Sequence, residues 1–126
     1  MEDKALYDRG MTVRREVLGA QYVEKAVAAA DDFNRHWQEY VTKHCWGAIW
    51  TRPGLPRKTR SMLNLAMLAA TGHPEELKLH LRGALTNGVT KDEIAEIFLQ
   101  VGAYAGAPSA LTAFRAAKEV FAEQKA

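Results

Sequence analysis

Residues 56–88, PRKTRSMLNLAMLAATGHPEELKLHLRGALTNG, constrain this chain more than any other stretch. The first half is the most apolar run in the sequence. After a basic start it continues through Met62, Leu63, Leu65, Ala66, Met67, Leu68, Ala69 and Ala70. A helix apolar on nearly every side is expected to be buried on every side. In so small a domain that is easier when subunits cover one another, so the run also points to an oligomer. Gly72 ends the helix. Pro74 then sits at the first position of a new helix, with His73 just before it. Glu75 and Glu76 fall in the first turn, where the helix dipole favours negative charge. Leu77, Leu81, Ala84 and Leu85 mark the apolar face. At about 100° per residue, His80 lies inside that arc and Glu76 at its edge, one turn earlier. An inward histidine has two readings: a core residue bonded to a carbonyl, or the reactive group of a small-molecule site. Asn87 and Gly88 close the helix.

The remaining segments also read as helices. Residues 1–10 are expected to form a short helical turn, and residues 14–18 a brief helix stopped by Gly19. Residues 21–30 carry a narrow stripe of Tyr22, Val23, Ala26 and Val27. Asp31 or Asp32 can cap the next helix, expected to run to about Cys45 with Phe33, Trp37, Tyr40 and Val41 on one face. Residues 46–56 hold two prolines and two glycines and read as a shaped loop. Its tryptophans, Trp46 and Trp50, either pin the loop to the core or line a pocket or an oligomer interface. Thr90 and Glu93 form a capping box, and the helix it opens turns Ile94, Ile97, Phe98 and Val101 inward. The small-residue stretch 102–108 follows. Pro108 begins the last helix, with Leu111, Phe114, Ala117, Val120 and Phe121 as its stripe. No segment reads as a strand or a linker. The expectation is one all-α domain over residues 1–126, with six to seven helices.

Charge and composition narrow the function. A chain of 126 residues makes one domain by length. The net charge of +2 is too small to indicate nucleic acid. No run has the length of a membrane span, and the charged N-terminus lacks an apolar signal region, so the cytosol is expected. Cys45 is the single cysteine, so neither an internal disulfide nor a thiol pair is available; it is most simply a small hydrophobe. Positive charge gathers locally at Arg52, Arg57, Lys58 and Arg60, where it can attract a small anion. The same arginines also read as a solvated helix start. His73, Glu76 and His80 do not have the spacing of a metalloprotease helix, and no metal is expected. His36 and His44 read as solvent or interface residues.

The order of helix 56–71, Gly72 and the His80 helix resembles the carboxymuconolactone decarboxylase family, which shares its fold with the alkylhydroperoxidase D-like proteins. The similarity extends to YDRGMTVRREVLG at residues 7–19, WGAIWTRPGL at 46–55, RKTRSML at 57–63 and EELKLH at 75–80. It spans nearly the whole chain, from about Leu6 to Phe121. The redox branch of the fold uses a glutamate, a Cys-x-x-Cys pair and a histidine. Here the corresponding positions hold Ser61, His73, Glu76 and His80. Without thiols the peroxidase cycle has no nucleophile.

What the resemblance implies is a carboxy-lyase of aromatic catabolism, in the protocatechuate branch. Its substrate is a γ-lactone bearing a carboxylate and an acetate arm on one ring carbon, and its product is β-ketoadipate enol-lactone. The substrate's own C=C and lactone C=O accept the electrons left behind, so no cofactor is expected. Three tasks remain for the protein: to hold the acetate, to face donors toward the lactone oxygen, and to protonate the ring carbon. His80 is the candidate acid or lactone-oxygen donor, with Glu76 to orient or charge it. Arg52, Arg57 and Arg60 are candidates for the acetate. Trp46, Trp50 and Tyr104 either line the cavity or pack in the core. Arg14 and Arg15 are further candidates for a neighbouring subunit's site. The resemblance implies a homo-oligomer, usually a hexamer. Other readings stay open: a relative acting on another carboxy-lactone or β-keto acid, a non-catalytic oligomeric binding protein, and, more distantly, a thiol peroxidase.

Overall fold

The computed structural model describes residues 3–124. Among them it is helical throughout, with no strand. Seven α-helices run in the order α1 (Asp3–Leu18), α2 (Ala20–Ala28), α3 (Arg35–Tyr40), α4 (Arg57–Thr71), α5 (Pro74–Thr86), α6 (Lys91–Ala105) and α7 (Ala107–Glu123). A π-helical segment, Val41–Ile49, follows directly on α3. The chain divides into two compact units between Pro56 and Arg57. No helix among the described residues is long and apolar enough to cross a membrane.

In the N-terminal unit, α1 is one continuous helix of 16 residues rather than two short pieces. Only Met1 and Glu2 of the expected N-terminal turn lie outside the described residues. Gly10, Met11, Val13, Arg14 and Val17 form its buried face. This face packs on the π-helical segment almost backbone to backbone. A Cβ added to Gly10 would stand 1.9 Å from the Thr42 carbonyl oxygen, and one on Gly47 2.5 Å from that of Leu6. Gly19 stops α1 with φ +93°, a backbone region costly for any other residue.

The stretch between α2 and the first tryptophan departs from expectation. Asp31 does not cap α3. Its carboxylate accepts from the backbone N–H of Phe33 and Asn34, while the Asn34 side chain accepts from the N–H of Asp31, which makes a turn instead. Asn34 is the cap position and makes no side-chain capping bond. The helical path then runs past Cys45 with π geometry, and Trp50 N–H reaches back five residues to the Cys45 carbonyl at 3.1 Å. Trp46 therefore lies in a helix and Trp50 caps it, where a loop was expected. Their rings stack at 4.8 Å and pack with Val13 and Val17. Phe33, Trp37 and Tyr40 face solvent, and Phe33 is 96% exposed.

The C-terminal unit holds the larger core: Leu65 and Ala69 of α4, Leu77, Leu81 and Ala84 of α5, Ile94, Phe98 and Val101 of α6, and Ala113, Ala117 and Val120 of α7. Helix α4 buries only one face, at Ser61, Leu65 and Ala69. Leu63 and Met67 are exposed, contrary to the expected burial on all sides. The 3.6-residue period, not total apolarity, decides which side chains lie inside one chain. On α7 the same rule turns Leu111 outward and brings Ala113 and Ala116 in. The Thr90–Glu93 capping box forms as expected, with both reciprocal bonds present. Gly106, at φ +109°, separates α6 from α7.

The Gly10 contact yields a direct test. Gly10→Ala forces α1 off the π-helical segment, and overpacking of this kind typically costs ~1–3 kcal/mol. Gly54, whose added Cβ meets nothing within 4 Å, serves as control. Thermal melts should show a clear loss for Gly10→Ala and almost none for Gly54→Ala. Equal melting temperatures would contradict the packing described.

Candidate active site

Helix α5 begins as the sequence leads one to expect, with His73 at the cap and Pro74 in the first turn. Leu77, Leu81 and Ala84 enter the core, and that packing fixes the direction of His80. The imidazole is partly buried and its Nδ1 is enclosed. Burial lowers its pKa from the ordinary 6.5 to about 4, because a protonated ring loses more hydration than a neutral one. His80 is therefore neutral at physiological pH.

Glu76, the expected partner, is exposed on the first turn of α5 and forms no ion pair among the described residues. Arg57 is exposed at the start of α4; Arg60, one turn later, is partly buried with its Nε enclosed. Ser61 is 1% exposed, and its Oγ accepts from the Asn87 side chain at 2.9 Å, tying α4 to the C-terminal end of α5. That bond carries no sequence signature beyond two polar residues on otherwise apolar helices.

Of the hollows on this unit, two border residues singled out in the sequence. One, of about 600 Å³, runs between α4 and α6 and is lined by Met62, Leu63, Ala66, Ile97 and Tyr104. Tyr104 is 89% exposed, so it borders this groove and does not pack in the core. The other, about 270 Å³, lies where α5 and α7 begin, beside His73, Leu77, Pro108 and Thr112. Neither is lined by His80 or Glu76. Trp46, Trp50 and Arg52 belong to the N-terminal unit. There the two tryptophans are buried against each other, while Arg52 is exposed after the π-helical segment.

The comparisons agree with this all-helical arrangement. Residues 35–119 match the Carboxymuconolactone decarboxylase family, and the chain belongs to it. More particularly, it is 45% identical over 121 residues to the 4-carboxymuconolactone decarboxylase of Acinetobacter baylyi, covering 96% of this chain and 90% of that protein. It is 46% identical over 110 residues to the nitrosuccinic acid decarboxylase of Metarhizium robertsii, covering 87% and 77%. A 4-carboxymuconolactone decarboxylase sequence of Pseudomonas putida matches at 45% over 47 residues, 37% of this chain and 98% of that one.

The dehydrated imidazole gives a prediction with a definite sign. Its folded-state pKa lies below its unfolded one, so between about 4 and 6.5 the unfolded chain binds the extra proton. Stability is thus undiminished by His80 above pH 6.5 and falls as pH drops toward 4, by about 3 kcal/mol in all. His80→Gln should flatten the wild-type stability slope across that window in denaturant melts. Parallel slopes for the two proteins would show that His80 is not dehydrated.

Proposed function

We propose that this chain is a carboxy-lyase that converts 4-carboxymuconolactone to β-ketoadipate enol-lactone in protocatechuate catabolism. The observation that carries this reading is the near-full-length similarity to the Acinetobacter decarboxylase. In the reaction the ring carboxylate leaves as carbon dioxide. Its bonding electron pair passes through the C=C into the lactone C=O, giving an oxyfuran-like dienolate. A proton then adds to the ring carbon next to the carbonyl.

Of the two roles considered for His80, donor to the lactone oxygen fits its environment better. With a pKa near 4, about one molecule in a thousand carries the imidazolium at pH 7, too few for an efficient general acid. A neutral imidazole N–H needs no prior protonation. Aimed at the oxygen where charge develops, in a site that excludes water, it stabilises the transition state more than the ground state. Arg57 and Arg60, at the start of α4, supply positive charge for the spectator acetate. The departing carboxylate is best left unpaired, since pairing it would stabilise the substrate.

The Metarhizium relative supports a second reading, in which the substrate is a different activated acid. Nitrosuccinic acid, like the carboxylactone, has one carboxylate to lose, a second to hold and a built-in electron acceptor, its nitro group. Rates on the two acids compared side by side separate these readings.

Assembly into a homo-oligomer is part of the same proposal. Leu63, Met67, Leu99 and Leu111 are each about half exposed on a single chain, more apolar surface than scattered residues require. Light scattering should give a multiple of 14.0 kDa; a monomer would overturn assembly without touching the chemistry. For catalysis, His80→Ala should lower kcat on 4-carboxymuconolactone by roughly 100-fold or more, the usual loss of one such donor, while the helical spectrum stays unchanged. A variant with near-normal turnover would remove His80 from the mechanism.

A further inference from the structure

Arg14 is a cation for which the fold provides no anion. It lies on the buried stripe of α1 with Gly10, Val13 and Val17, and is 5% exposed. Nη1 donates to Gln38 Oε1 at 3.1 Å and to Thr42 Oγ1 at 3.2 Å, and both acceptors are neutral. Nε is enclosed and has no hydrogen-bond partner among the described residues. No carboxylate pairs with the guanidinium among those residues. The ionisable groups whose charge reaches it are Tyr22, Tyr7 and Cys45, none of them a carboxylate, while burial works against the charged form.

A guanidinium cannot escape this cost by losing its proton. Nor does the role of tying α1 to α3 and the π-helical segment require a charge. A neutral donor would serve two neutral acceptors as well, without the penalty of burying an ion. The geometry of the fork is specific. Nη1 is occupied, which leaves the edge formed by Nε and Nη2, the side-on edge that receives a carboxylate through two parallel bonds. Thr42, one of the two acceptors, stands in the first turn of the π-helical segment, a departure from regular helix that often accompanies a functional site. Tyr22, whose charge reaches the guanidinium, is itself 40% exposed.

We propose that Arg14 is the preformed half of a carboxylate-binding site in the N-terminal unit, with its Nε/Nη2 edge as the receptor. The carboxylate comes from a small organic acid or from an acidic side chain of a second copy of this chain. Arg14 is also a candidate for a neighbouring subunit's site under the family resemblance, but the readout here is binding and not turnover, so failure of this inference and failure of the decarboxylase reading are distinguishable.

Succinate is a suitable probe, titrated into the full chain with sodium chloride as the ionic-strength control. For a small-molecule source, the Arg14 Nε–H resonance shifts saturably with succinate and the melting temperature rises. Arg14→Met then weakens succinate binding by about tenfold or more, the loss of a bidentate charged pair. It also melts no lower than wild type in the absence of anion, since an unbalanced buried charge has been removed. For a second-copy source, succinate has no effect, but Arg14→Met or Arg14→Lys changes the mass found by light scattering. The proposal is overturned if wild type ignores succinate and the substitutions leave the mass unchanged. It is also overturned if Arg14→Met melts lower and still responds to succinate, for then Arg14 is only a structural tie. Should Arg14→Met fail to fold, the wild-type titration and the mass of Arg14→Lys decide the matter.

Discussion

The packing of α5 into the C-terminal core is the constraint that sets the state of His80. Leu77, Leu81 and Ala84 hold that helix in one rotational setting, because turning it would lift three buried side chains into water. His80 sits between them in sequence and shares their fate. It loses hydration, and with it the ability to hold a proton at neutral pH. A group that elsewhere serves as a pH switch is fixed in one state by its neighbours. The same burial that costs stability in acid strengthens any hydrogen bond the ring makes.

A reaction whose substrate accepts its own electrons asks little more of a protein. It needs charge to hold one carboxylate, a donor where negative charge will appear, and the exclusion of water. A chain of 126 residues with ordinary side chains can meet those demands. The two named decarboxylases among the relatives are consistent with this economy.

Most of the architecture was legible in the residues. Gly19, Gly72, the His73–Pro74 pair and the Thr90–Glu93 box punctuate the helices as their backbone chemistry requires. Two kinds of feature were not. The π-helical segment leaves no compositional mark, because a wider turn uses the same side chains as a tight one; prolines and glycines farther on made residues 46–49 look like loop. Outward apolar side chains such as Leu63 and Leu111 misled for another reason. Hydropathy reports what avoids water, not whether the cover comes from the same chain. For the site, spacing placed His80 on an inward arc, but the dehydration that sets its proton affinity depends on three-dimensional packing. Glu76 was one turn away in sequence and still solvated. Arg14 was a candidate for a neighbouring subunit's site without a spacing argument, although Gly10, Val13, Arg14 and Val17 recur at helical spacing and set one charged residue in an apolar stripe.

The π-helical segment has a consequence for how this chain can change length. Wider turns put more residues into each revolution, so every side chain beyond Val41 owes its azimuth to that surplus. Deleting a single residue between Val41 and Ile49 would rotate the downstream part of this segment about its axis, carrying Trp46 and Trp50 off the surface of α1. Insertions or deletions are thus barred from a stretch that looks, in one dimension, like the natural place for them. The irregular connection from Arg52 to Pro56, exposed at every residue, absorbs such events instead.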